Sequence, residues 1–109
     1  MEVVSAQRLA EMIEQATVDC YDEAEQVSGL FTMIEDNLAV PFGTHVLGVQ
    51  VTVEAVELTR DGQIVAVCCR GERRQRVPVL DLPLPDRAPE GAEWVQAYRA
   101  WSTGTGPEP

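Results

Sequence analysis

The chain has 109 residues, with 18 Asp and Glu against 8 basic residues, all of them arginine, for a formal charge of −10 and a hydrophobic content of 45%. That length suits one small globular domain with one modest core, and the acidic balance argues against nucleic acid, where binding rests on cations neutralising phosphates. No apolar run approaches the roughly 18 residues of a membrane span, and residues 1–5 lack the basic and apolar regions of a signal peptide, so the expected setting is cytoplasmic.

In residues 5–16 the apolar positions Leu9, Met12, Ile13 and Ala16 recur at helical spacing behind Ser5, a good cap, and predict a first helix. Val27, Leu30, Phe31, Ile34 and Leu38 repeat that spacing, and Asp22, Glu23 and Glu25 stand where carboxylates complement a helix start, so a second helix is expected over 22–38. Pro41 stops it. From Thr44 the period becomes two. Leu47, Val49, Val51 and Val53 carry the alternation, and its parity then shifts to Val56 and Leu58. This reads as two short strands, or as one strand bent by a bulge near Glu54-Ala55. Asp61-Gly62 is a two-residue hairpin signal, expected to lie far from any functional site, and the apolar run 64–69 after it reads as a central strand. Gly71-Glu72 makes another turn before an edge strand that contains Pro78.

Pro83, Pro85 and Pro89 form a stiff connector, and Trp94, Val95, Tyr98 and Trp101 then make a helical stripe whose aromatics read as core anchors. The fold class is α+β, with two N-terminal helices, a small antiparallel meander and a short C-terminal helix. One domain is expected over 1–101, with a disordered tail over 102–109.

The charge is not evenly spread. Residues 1–40 hold nine carboxylates against the single Arg8, a net −8, whereas the other 69 residues hold nine carboxylates and seven arginines, a net −2. Concentrated carboxylates repel one another unless a cation or a basic partner compensates. Catalysis has little to work with, because His45 is the only histidine and no nucleophile or phosphate-loop motif is present, so no enzyme is expected. His45 with Cys20, Cys68 or Cys69 matches no common zinc spacing, and a strand puts Cys68 and Cys69 on opposite faces, so reduced, structural thiols are expected instead. Arg70, Arg73, Arg74 and Arg76 surround one hairpin and read as a solvated edge that resists strand pairing.

Asp19, Asp22, Glu23 and Glu25 lie within seven residues and offer the hard oxygens that calcium prefers. An EF-hand loop is excluded, because counting from Asp19 the sixth residue is Ala24 and the twelfth is Leu30. Glu25 and Asp36 sit on one face of a continuous helix but about 16 Å apart along it, so they cannot share an ion within that helix.

Over residues 18–42 the pattern Asp19-Cys20-Tyr21, Glu25-Gln26, Gly29, Glu35-Asp36 and Pro41-Phe42 resembles the cyanobacterial calcium-binding protein family of the CcbP type. The likeness continues more loosely through an SH3-like hairpin meander ending in Val77-Pro78-Val79-Leu80, and through an aromatic C-terminal helix. The resemblance implies a small acidic bacterial protein of the cytoplasm that binds Ca2+ without an EF-hand and buffers or senses it. It puts Asp19, Glu25, Glu35 and Asp36 at the acidic positions and Asn37 at a carbonyl ligand, with Tyr21, Gly29, Pro41 and Phe42 structural. Two other readings stand beside it: an acidic module binding a basic protein partner without metal, and an acidic helix that only maintains solubility.

Overall fold

A computed structural model describes residues 4–103, and the expected order of two helices, antiparallel meander and C-terminal helix is observed. Helix α1 (Ala6–Ala16) begins where the Ser5 hydroxyl accepts the Arg8 N–H at 3.1 Å, pairing one of the amides a helix start leaves open. Helix α2 (Glu23–Asn37) is capped in the same way by Asp22, whose carboxylate accepts the Glu25 N–H at 2.8 Å. The two helices cross in close contact at Gly29. A Cβ there would stand 2.2 Å from the Ala16 carbonyl oxygen, so only glycine admits the end of α1 at this distance.

Strands β1 (Phe42–Val46), β2 (Val49–Leu58), β3 (Ile64–Arg70) and β4 (Arg73–Pro78) pair antiparallel in that order, which makes β3 central and β4 an edge. The register of β2 on β3 shifts between Val53 and Ala55, the expected bulge, and this brings Val53 and Val56 both into the core despite their opposite parity. The alternation through 47–53 is not one strand, however. The chain reverses at Leu47-Gly48, where both residues have positive φ (52° and 78°) as a tight hairpin turn requires. A two-residue turn preserves alternation, and Leu47 is not a residue that signals a turn, so the periodicity ran straight through it. Leu47 is 98% exposed, which means its apolarity there marks no buried face.

The next turn is also longer than expected. Thr59 N–H donates to the Gln63 carbonyl at 2.8 Å and Gly62 N–H to the Thr59 carbonyl at 3.1 Å, enclosing Arg60, Asp61 and Gly62 in a three-residue loop. The Thr59 hydroxyl donates to the Asp61 carboxylate and accepts the Gln63 N–H, which fixes the loop from within. Arg70 and Arg73 face each other across Gly71-Glu72, as the sequence indicated.

Ile64, Ala66 and Cys68 face the helices and join Met12, Leu30 and Ile34 in the core. Val65 and Val67 on the opposite face are also only 5% exposed, so β3 is apolar on both sides and its unbroken apolar run follows. Over that outer face Arg74 reaches Glu54 at 3.4 Å and Arg76 reaches Glu57 at 2.7 Å. Two of the four hairpin arginines are thus cross-strand partners of glutamates, with both arginine side chains more than half exposed. Cys68 and Cys69 do fall on opposite faces, and burial raises the Cys68 thiol above its ordinary pKa.

Helix α3 (Ala92–Thr103) docks through Trp94, Val95 and Tyr98, with Tyr98 stacked on Trp101 at 6.1 Å. The Trp101 indole N–H donates to Gln26 Oε1 at 2.9 Å, and Arg99 donates to the Val79 and Leu82 carbonyls, tying the 3-10 turn Val79–Asp81 to α3. The helix includes Ser102 and Thr103, which the sequence assigned to a tail; the remainder of that tail, 104–109, lies outside the described residues.

Gly29→Ala forces a Cβ onto a backbone oxygen that cannot turn aside, and overpacking of this kind costs about 1–3 kcal/mol; thermal unfolding followed by circular dichroism is expected to show a clear loss. Arg76, hydrogen-bonded to Glu57, holds that carboxyl below the usual carboxylate range. The pair therefore favours the fold above the unfolded-chain pKa of Glu57, and that contribution disappears as pH falls through the lower folded value. Arg76→Gln should return the Glu57 titration, followed by NMR, upward to the ordinary range, and salt should shrink the difference because both groups are exposed.

Candidate functional site

The acidic N-terminal third is built around the two ends of α2. At the first end, α1 closes with the Thr17 hydroxyl donating to the Ile13 carbonyl at 2.7 Å, and Cys20 N–H returns to the Thr17 carbonyl at 3.0 Å. This tight reversal puts Asp19 in the left-handed region (φ 63°), which Asp tolerates better than most residues. The Glu25 carboxylate turns back to accept the Tyr21 N–H at 2.6 Å, while Asp22 accepts the Glu25 N–H, a reciprocal arrangement close to a capping box. Glu25 thus already has a structural partner. Tyr21, expected to be structural, is 88% exposed and packs into nothing, because the short loop carries it outward past the cap.

Glu35, Asp36 and Asn37 occupy the other end. Asn37 Nδ2 donates to the Met33 carbonyl at 2.8 Å, one turn back along the helix, leaving its Oδ1 as an acceptor. The end itself is pressed onto the segment before α3, where Ala39 N–H donates to the Glu90 carbonyl at 2.8 Å. Gly91 (φ 88°) lies so near that a Cβ would come within 2.1 Å of the Asn37 carbonyl oxygen. Carboxylates complement the first turn of α2 and oppose the last, where no basic side chain stands. Glu35 and Asp36 therefore cost stability in isolation, and rule-breaking of this kind concentrates where a ligand supplies the missing charge.

The structure brings Asp19 and Glu25 to one end of α2 and Glu35, Asp36 and Asn37 to the other, and does not bring the two sets together. Their donors are all oxygen, the chemistry of a hard cation such as calcium and not of zinc. As folded they do not form a cage: among the described residues no three His, Cys, Asp or Glu side chains stand together as ligands.

Sequence reading missed one concavity altogether. A cleft of about 630 Å³ opens between the start of α2, the β2–β3 turn and the last turns of α3, with Glu23, Asp61 and Asp81 on its walls and Ile64, Leu80 and Trp101 among its apolar lining. Asp61 and Gly62, expected to be remote from any site, border it. Its residues come from segments dozens of positions apart, and only the hairpin register combined with the docking of α3 joins them, so no linear spacing could have flagged it.

The architecture matches that of known proteins. The chain shares the fold of Anabaena CcbP. Its crystal structure superposes with a TM-score of 0.74 at 16% identity, covering 93% of this chain and 94% of the other. A calcium-binding protein in its calcium-binding form superposes with a TM-score of 0.72 at 15% identity, covering 95% of this chain and 98% of the other. No family model and no curated protein matches the sequence. At this identity the likeness is one of fold, and it extends over the helices, the meander and the C-terminal helix alike.

Two variants separate capping from charge. Asp22→Ala removes the cap of α2 and should lower stability by about 0.5–2 kcal/mol. In metal-free protein, Glu35→Gln with Asp36→Asn should do the opposite and raise the melting temperature, because each negative charge at a helix end of this sign costs about 0.3–1 kcal/mol. Thermal denaturation in EDTA reads both.

Proposed function

We propose that the chain is a CcbP-type, non-EF-hand calcium-binding protein of the bacterial cytoplasm and that it buffers calcium. The observation that carries the proposal is the fold shared along nearly the whole chain with CcbP and with a calcium-binding protein in its calcium-binding form. The acidic positions support it. Asp19 and Glu25 would hold one ion and Glu35, Asp36 and Asn37 another, since α2 separates the two groups by about three turns. Each group offers fewer donors than the 6–8 oxygens calcium takes, so water and backbone carbonyls supply the remainder and the affinity is weak.

Buffering is preferred to sensing on mechanical grounds. A sensor needs an element with two arrangements that the ion biases, whereas α2 is clamped near its middle by the Gly29–Ala16 contact and at its end by the Gly91–Asn37 contact. An ion at either end has little to move. It neutralises repelling carboxylates, and at the far end of α2 it also supplies the positive charge the helix lacks.

Calcium should therefore raise the melting temperature of metal-free protein at physiological salt, by mass action, and magnesium should raise it less, because it surrenders its water shell reluctantly. Calorimetric titration should give weak binding at two sites. Asp19→Asn with Glu25→Gln should remove one share of the calcium-induced shift, and Glu35→Gln with Asp36→Asn the other. If both double variants keep the whole shift, or if magnesium equals calcium and ordinary salt abolishes both effects, the proposal fails.

A further inference from the structure

The cleft at the start of α2 belongs to neither proposed ion site, and its chemistry is different. It continues over Trp101 and Ser102 into a shallower depression bordered by Tyr21, Asp22 and Gln26, so that the two form one groove across the N-terminus of α2 and the C-terminus of α3. Four carboxylates line it, those of Asp22, Glu23, Asp61 and Asp81, against the single cation Arg60. None of the four is in an ion pair; among the described residues the pairs are Arg8–Glu11, Arg74–Glu54 and Arg76–Glu57. Arg99 donates through one amino group to the Val79 and Leu82 carbonyls and acts on Asp81 only through its charge, without an ion-pair contact, so the groove face of Asp81 stays open.

Below the carboxylates the surface is apolar and aromatic. Ile64, Leu80 and Trp101 form part of the lining, and the 88% exposed ring of Tyr21 stands at the rim without a packing partner. A bare metal ion gains nothing from such a floor. A long cationic side chain uses both features, because its methylenes lie along apolar surface while its head meets carboxylates and aromatic faces. Arginine fits best, since its planar fork pairs with carboxylates and stacks on rings.

We propose that this groove binds an arginine-rich, partly apolar peptide segment of a protein partner, independently of calcium. Complementary charge is what identifies the occupant: the groove is acidic, the molecule as a whole carries −10, and basic segments are therefore attracted while other copies of the chain are repelled. The inference does not rest on the calcium reading, and a test in EDTA keeps the two apart.

The probe is a fluorescein-labelled nonapeptide of alternating arginine and leucine, titrated by fluorescence anisotropy at physiological salt in EDTA. Glu23→Gln with Asp81→Asn should weaken its binding about tenfold, whereas Glu11→Gln with Glu14→Gln, which removes the same charge from α1, should change it less than about twofold. Tyr21→Ala, at a position too exposed to matter for folding, should weaken it about threefold. Peptides with citrulline for arginine, or serine for leucine, should bind poorly. Equal weakening by the two double variants would reduce the effect to a diffuse ion cloud, and equal binding of the citrulline peptide would remove the electrostatic basis. Either result overturns the proposal, as does self-association in sedimentation that the Glu23→Gln, Asp81→Asn variant abolishes, which would make a second copy the occupant.

Discussion

The contact between Gly29 and the Ala16 carbonyl sets the spacing of α1 and α2, and much of the molecule follows from it. Helices that approach this closely leave the chain only a short reversal between them, so residues 17–22 must turn sharply and Asp19 takes a left-handed conformation. That turn delivers Asp22 to the cap of α2 and brings the Glu25 carboxylate back over Tyr21. The acidic junction is therefore a product of helix packing, and its carboxylates perform structural work whether or not an ion is present.

A second constraint comes from β3. A strand that is apolar on both faces needs cover on both, and the two faces receive different kinds. The helices supply a packed core around Met12, Leu30 and Ile34 on one side. On the other, Glu57 stands across from Val65 and Arg76 across from Val67 in the register, and the two pair with little Coulomb gain expected from groups so exposed. The contribution of Arg74 and Arg76 lies in keeping an edge strand from pairing with other chains.

Most of the fold was legible because its periods change where its elements change. The cap at Ser5 opens an apolar helical stripe, the bulge after Val53 shifts the parity of an alternating one and α3 carries an aromatic face, and such agreement between levels is what makes sequence readable. The Leu47-Gly48 turn was not legible, because a two-residue reversal leaves alternation intact and leucine pays a conformational cost there that composition does not announce. The acidic residues of the candidate sites could be named in advance, and their separation followed from helical rise alone. What could not be seen was which of them already serve as caps, and that Glu23, Asp61 and Asp81 converge, since convergence depends on how the sheet docks and not on any spacing.

Strand β3 also separates charge of opposite sign. Ile64 lies at the acidic groove, and Arg70, six residues along the same strand, lies about 20 Å away at 3.3 Å per residue. There it stands beside Arg73, near the outward arginine heads of β4. Along this one strand an acidic groove and an arginine turn are thus held apart, within a molecule that is negative in total. Separated charge of this kind turns a molecule in the field of an approaching ion, so that a cation would meet the groove more often than diffusion alone would allow. This orientation acts on the rate of encounter and leaves the lifetime of any complex unchanged, and it fades as ionic strength rises and the Debye length falls below the separation of the two ends.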